Sequence, residues 1–163
     1  MLAHSLYKIE RIKGGVVLSL TEAQQHEQYY DDIFEVLKNE PYANYLGMEL
    51  VELKAGYAKA TLSPTTHMLN THGTVHGGII FSLADYVFAV ASNSYGKTAV
   101  GVTNTINYLS AGLADHVLTA EAREVKKTRR LAWYRIDVWS NDELCATMEA
   151  MVYRKNENFI GQE

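Results

Sequence analysis

The chain has almost no cysteine, no surplus of positive charge and no long unbroken apolar run. Each shortage removes a class of protein. One cysteine in 163 residues, Cys145, excludes an internal disulfide framework and fits a reducing compartment. The net charge is −4, so no global basic field recruits nucleic acid. The longest apolar stretch, residues 79–91, is interrupted by Ser82 and Asp85, and it is too short and too charged to span a bilayer. Residues 1–8 lack the apolar centre of a secretion signal, so the expected location is cytoplasmic, away from any membrane. No repeat, low-complexity tract or linker divides the chain. What remains is 47% hydrophobic and 21% charged, an ordinary globular composition with enough length to bury a core.

Residues 1–20 are expected to form a separate arm without an evident role. Within it, residues 5–12 alternate, Lys13-Gly14-Gly15 can turn, and Val16 to Leu20 follow, which fits a short hairpin. Residues 21–163 read as one domain. Thr21 offers an N-cap for a polar helix over 22–40, with Ile33, Phe34, Val36 and Leu37 as its apolar side. Pro41 ends that helix or opens a new turn. Strands are expected at 47–53 and 57–63, a loop at 64–75, and an apolar helix over 77–94 that Gly96 stops. Strand chemistry then fills 99–109, 117–125, 131–140 and 144–154. A lone apolar helix needs a surface to wrap it, and a sheet with one apolar face supplies one. The fold class is therefore α+β, an antiparallel sheet curled around a long central helix.

The chemistry concentrates where that helix begins. Asn70, His72 and His76 lead into Gly77 and Gly78, and Asp85 sits in the middle of the apolar helix. The first amides of a helix lack internal partners and lie at the positive end of its dipole. Bare glycines let a carbonyl oxygen approach them, as in an oxyanion hole. Glycines alone fit a tight turn into a packed helix better than an oxyanion hole. A carboxylate inside an apolar helix is expensive unless it is paired or used. Gly77 and Asp85 are eight residues apart, about 12 Å along a helix axis, so one small reacting group cannot touch both in one chain. If they act together, the site is shared between two antiparallel copies of the chain, an isologous dimer. A zinc site at His72 and His76 is not expected, because Gly73 and the glycine pair break the helix that would put them on one face. His4, His26, His67 and His116 read as ordinary loop or backbone-bonded residues. The run Lys126-Lys127-Thr128-Arg129-Arg130 is either a solvated strand connection or a phosphate-neutralising turn.

The pattern Asn70-x-His72-x-x-x-His76-Gly77-Gly78, followed by Leu83-Ala84-Asp85, resembles the hotdog-fold acyl-CoA thioesterases. It is most similar to their phenylacetate-pathway (PaaI-like) branch, over residues 42–155. The resemblance implies a hotdog fold and hydrolysis of an aryl- or medium-chain acyl-CoA, with no metal or redox cofactor. Asp85 would be general base or nucleophile, Gly77 the oxyanion amide, Asn70 the group orienting thioester or water, and His76 the histidine beside the oxyanion glycine. Thr103 would be a supporting hydroxyl. Coenzyme A contacts would fall on Gly78, Tyr108, Ser110, Lys126, Lys127, Thr128, Arg129 and Arg130. The resemblance also implies dimers that pair into homotetramers. The chain departs from the pattern at Ala111, where the family often has proline, and at Ala89, where a related branch has a hydroxyl. Phe81, Tyr86 and Phe88 are candidates for an acyl or aryl pocket. Two other readings on the same fold are an acyl-CoA-binding sensor without turnover and a hydratase or dehydratase.

Overall fold

The structure, a computed structural model, describes residues 7–12 and 15–161. The expected turn at residues 13 and 14 lies outside the described residues. On either side of it, β1 (Tyr7–Ile12) and β2 (Gly15–Leu20) pair antiparallel as a two-stranded sheet of their own.

Two short helices stand where one was expected over 22–40, and a third follows from Pro41. Thr21 does cap α1 (Glu22–Gln28): its hydroxyl accepts from Gln24 N, and the Gln24 side chain accepts from Thr21 N in return, a full capping box. The helix then breaks at Tyr29, whose φ of −112° and ψ of 24° are not helical, and restarts as α2 (Tyr30–Lys38). The bend lets two distant residues reach the core. His26 is buried with Nδ1 2.7 Å from the Ser94 carbonyl oxygen, and Ile33 is buried completely. Pro41 opens a new helix, α3 (Pro41–Leu46), as its fixed φ at the first helical position allows. Glu40 caps α3 through the amides of Tyr42 and Ala43.

A six-stranded antiparallel sheet builds the rest: β3 (Met48–Lys54), β4 (Tyr57–Leu62), β5 (Lys97–Tyr108), β6 (Leu118–Lys127), β7 (Leu131–Ser140) and β8 (Glu143–Asn158). Its order is β3-β4-β6-β7-β8-β5, so β5 is an edge strand bonded to β8 alone. The central helix α4 (Gly77–Asn93) touches all six strands. Small inward residues make that possible. Ala58, Ala60, Ala120, Ala122, Ala132 and Ala146 are fully buried beneath the helix, and Leu83, Val87 and Phe88 fill the space between. No helix among the described residues is long and apolar enough to cross a membrane.

Candidate active site

The loop before α4 is pinned at several points. Val75 N donates to Gly112 O (2.9 Å) and His76 N to Met68 O (2.8 Å). The Asn70 side chain shapes the loop from within. Its Oδ1 accepts from His72 N (2.9 Å) and Thr74 N (3.2 Å), and its Nδ2 donates to Thr74 Oγ1 (2.8 Å). Asn70 is therefore first a loop-forming residue, with one amide hydrogen left to offer beside the helix start.

His76 is the N-cap of α4. Its Nδ1 accepts from Gly78 N at 2.9 Å, which leaves Nε2–H directed outward from an exposed ring. The glycine pair is thus divided. The Gly78 amide is taken, while the Gly77 amide has no acceptor among the described residues. Tyr108, from the end of β5, donates its hydroxyl to Gly77 O (3.0 Å) and lays its ring against Gly77, where an added Cβ would sit 3.3 Å from it.

Asp85 lies half-buried on the one stripe of α4 that the sheet does not cover, with Gly78, Ser82 and Ala89 as small neighbours. Its Oδ1 accepts from Asn104 Nδ2 at 2.7 Å. Burial pushes the Asp85 carboxyl above its ordinary range, the Asn104 bond opposes that, and the Glu40 carboxylate adds to it. Two clefts meet at Asp85. One, of about 340 Å³, runs between α4 and β5 and includes Phe88, Ala89, Ser92, Gly101 and Asn104. The other, of about 260 Å³, lies between α3 and α4 and includes Tyr42, Met48, Phe81 and Tyr86. Two of the three expected pocket aromatics, Phe81 and Tyr86, therefore share one cleft. Phe88 borders the other and is mostly committed to the core, edge-on to Tyr134 at 5.5 Å.

Thr103 borders the same cleft as Asp85, but the hydrogen bond to Asp85 comes from its neighbour Asn104. In β5 Thr103 pairs with Met151 and Asn104 with Ala150, and successive side chains alternate between faces. Asn104 faces α4 and holds Asp85. Thr103 turns to the outer face, beside Met151 and Trp133. Sequence reasoning missed Asn104. The signal was available in the strand period, because a one-residue shift exchanges the two faces.

The coenzyme A residues expected from the resemblance divide between the two ends of α4, a helix about 25 Å long. Tyr108 lies at its start, and Ser110, just beyond β5, donates to Leu144 O (3.1 Å). The basic turn lies beyond its end. There Lys127 is not a free cation. It pairs with Glu22 (3.3 Å) and Glu124 (3.7 Å), and its Nζ sits 3.5 Å from the centre of the Tyr95 ring. Buried Arg154 joins the same network through Glu22 (2.5 Å) and the Thr128 carbonyl (2.9 Å). Thr128 is a turn former, its Oγ1 accepting from Leu131 N at 3.0 Å. Lys126, Arg129 and Arg130 are exposed, Arg130 bonding the Tyr153 hydroxyl. Among the described residues, no group of three or more His, Cys, Asp or Glu is arranged to hold a metal ion.

The Thioesterase superfamily profile matches residues 72–147, the stretch from the loop before α4 into β8. Acyl-coenzyme A thioesterase PaaI of Escherichia coli K12 is 39% identical over 101 residues, 62% of this chain and 72% of that protein. The chain belongs to the thioesterase superfamily, among its PaaI-like members. The structure of the E. coli PaaI protein from the phenylacetic acid degradation operon superposes with a TM-score of 0.75 at 31% identity. It covers 85% of this chain and 99% of that one. A mutant structure of phenylacetic acid degradation protein PaaI from Thermus thermophilus gives a TM-score of 0.69 at 35% identity, covering 71% and 100%. Both share the hotdog fold, so the α+β architecture expected from the sequence holds, and this thioesterase is a thioester hydrolase by family.

Proposed function

We propose that this thioesterase hydrolyses the thioester of an aryl- or medium-chain acyl-CoA to the free acid and coenzyme A. The sites are composite, each built from two copies of the chain. The observation that carries the reading is Asp85, a carboxylate at the meeting of two clefts, tethered by a single amide. The name of the E. coli relative supports the acyl-CoA class.

Water attacks the thioester carbonyl carbon while Asp85 takes its proton. The resulting oxyanion accepts from the unpartnered Gly77 N–H of the partner subunit at the positive end of its α4. Collapse breaks the carbon–sulfur bond, and the proton held by Asp85 passes to the departing sulfur. Direct attack by Asp85, giving a mixed anhydride that water then opens, is the alternative route through the same groups. Both routes use only groups of the chain, water and substrate.

The edge strand explains why a partner fits here. One side of β5 carries no strand, and Val100 and Val102 stand 42% and 53% exposed along it. Joining β5 to its twin brings the Asp85 cleft onto the dyad, because β5 forms one wall of that cleft. Antiparallel α4 helices then set each Gly77 beside the other chain's Asp85. The coenzyme A residues reunite in the same way. Gly78, Tyr108 and Ser110 come with Gly77, and Lys126, Arg129 and Arg130 with Asp85. The acyl group enters the cleft between α3 and α4, whose Tyr42, Phe81 and Tyr86 favour a flat ring.

A panel of aryl-acetyl and fatty acyl-CoAs, assayed with a thiol-reactive chromophore, tests the reading. Thiol release that is fastest with an aryl acyl group supports it. Thermal stabilisation by these ligands without thiol release assigns the chain to the sensor class, and turnover confined to enoyl-CoA hydration assigns it to the hydratases.

A further inference from the structure

Asn104 is an odd choice for its position. It faces the apolar side of β5, opposite Ala150, which is 4% exposed, and close to Phe88. A leucine has almost the same branched shape and would place no polar atom there. The Asn104 amide makes one hydrogen bond, from Nδ2 to Asp85 Oδ1. Its own Oδ1 is buried without a partner, and among the described residues it is the only buried side-chain polar atom in that condition. A buried acceptor left unpaired loses its water and gains nothing, so the amide works against folding. The amide orientation is not arbitrary either. Turning it over would put Oδ1 against an ionised carboxylate, oxygen to oxygen.

We propose that Asn104 is the positioning residue of the reaction, fixing Asp85 so that one carboxylate oxygen is held and the other faces the thioester. The inference rests on Asp85 acting as the base described above. The bond does two things. It removes the carboxylate's freedom to rotate about its last torsion, which aligns the free oxygen with the attacking water. It also donates more strongly to the carboxylate than to the neutral acid, and so favours ionisation of an acid that burial opposes. The other titratable groups around Asp85 are Glu40 and Tyr42 from the α3 side and Tyr86 from α4 itself. None of them donates to Asp85, and the Glu40 carboxylate disfavours its charge. Asn104 is thus the only described side chain that holds the base in its charged state.

The test is the pH profile of kcat/KM for Asn104→Leu and Asn104→Asp, with melting temperatures, beside wild type and Asp85→Asn. Loss of the donor raises the Asp85 pKa, so the acid limb is expected to move to higher pH by about one unit in Asn104→Leu. At the wild-type midpoint kcat/KM then falls by about fivefold, approaching about tenfold at lower pH, and recovers towards alkaline pH. The melting temperature is expected to hold or rise, since the unpaired Oδ1 is gone. In Asn104→Asp the limb moves further, because two carboxylates then share the site. An acid limb that superimposes on wild type in either variant overturns the proposal. So does a loss that is equal at every pH and accompanied by a lower melting temperature, the mark of a structural role. Asp85→Asn separates this result from the larger reading. If it still hydrolyses thioester, Asp85 is not the base. If it is inactive while the Asn104 profiles match wild type, only the role of Asn104 fails.

Discussion

Replacing Asp85 with asparagine is expected to lower kcat for acyl-CoA hydrolysis by at least about a hundredfold, the usual range for losing a positioned general base. The substitution keeps the shape of the side chain and an oxygen to accept from Asn104, so the cleft keeps its form. It removes only basicity and nucleophilicity. Stability should not fall with activity. The folded protein holds the Asp85 carboxyl above its ordinary pKa, chiefly by burial, so ionising it at neutral pH opposes folding. A neutral amide removes that opposition, and the melting temperature at pH 7 is expected to match or exceed wild type. Activity of the unmodified protein should decline as pH falls through the raised Asp85 pKa. Near-normal turnover in Asp85→Asn, with the same acid limb, would leave the mechanism without a base.

Gly77→Pro is expected to be nearly as damaging, for a different reason. Proline is well tolerated at the first helical position, where its missing N–H has no internal partner in any case. The preceding residue suits it too, because His76 already has φ −62° and ψ 136°, the extended conformation that a following proline requires. The substitution therefore deletes one N–H and adds a ring whose Cβ meets Tyr108 as alanine's would. Removing one oxyanion donor lowers kcat by about a hundred- to a thousandfold. Gly77→Ala is the control. It retains the donor and adds only a Cβ 3.3 Å from the exposed Tyr108 ring, which can shift slightly. Steady-state kinetics should show a large loss of kcat in the proline variant and a small one in the alanine variant. Equal losses in the two would mean that the backbone amide is not what Gly77 contributes.

Much of this could be read without coordinates, because its signals are local. The apolar run with Asp85 inside it marks α4 almost to the residue, and the glycine pair marks its start. The strands after it were set by β-branched and aromatic residues between clear turns. If Gly77 and Asp85 act on one reacting group, the eight-residue gap between them along a helix calls for two chains. What was missed depends on partners distant in sequence. Nothing near Tyr29 says that His26 must reach Ser94 while Ile33 enters the core, and the helix breaks to satisfy both. Lys127 looks like one cation in a basic run until Glu22, more than a hundred residues earlier, comes to lie beside it. Thr103 and Asn104 are neighbours with similar polarity, and the face each one occupies follows from the β5–β8 register.

Subunit mixing tests the shared site most directly. Asp85→Asn and Gly77→Pro are each expected to be nearly inactive alone, and each supplies the group that the other lacks. After exchange, a mixed dimer holds one doubly defective site and one intact site. Random pairing makes half of the dimers mixed, so activity should return to about a quarter of wild type. Activity that stays at the sum of the two parents, with mixed dimers verified by mass, would contradict a site assembled from one chain's carboxylate and the other's amide.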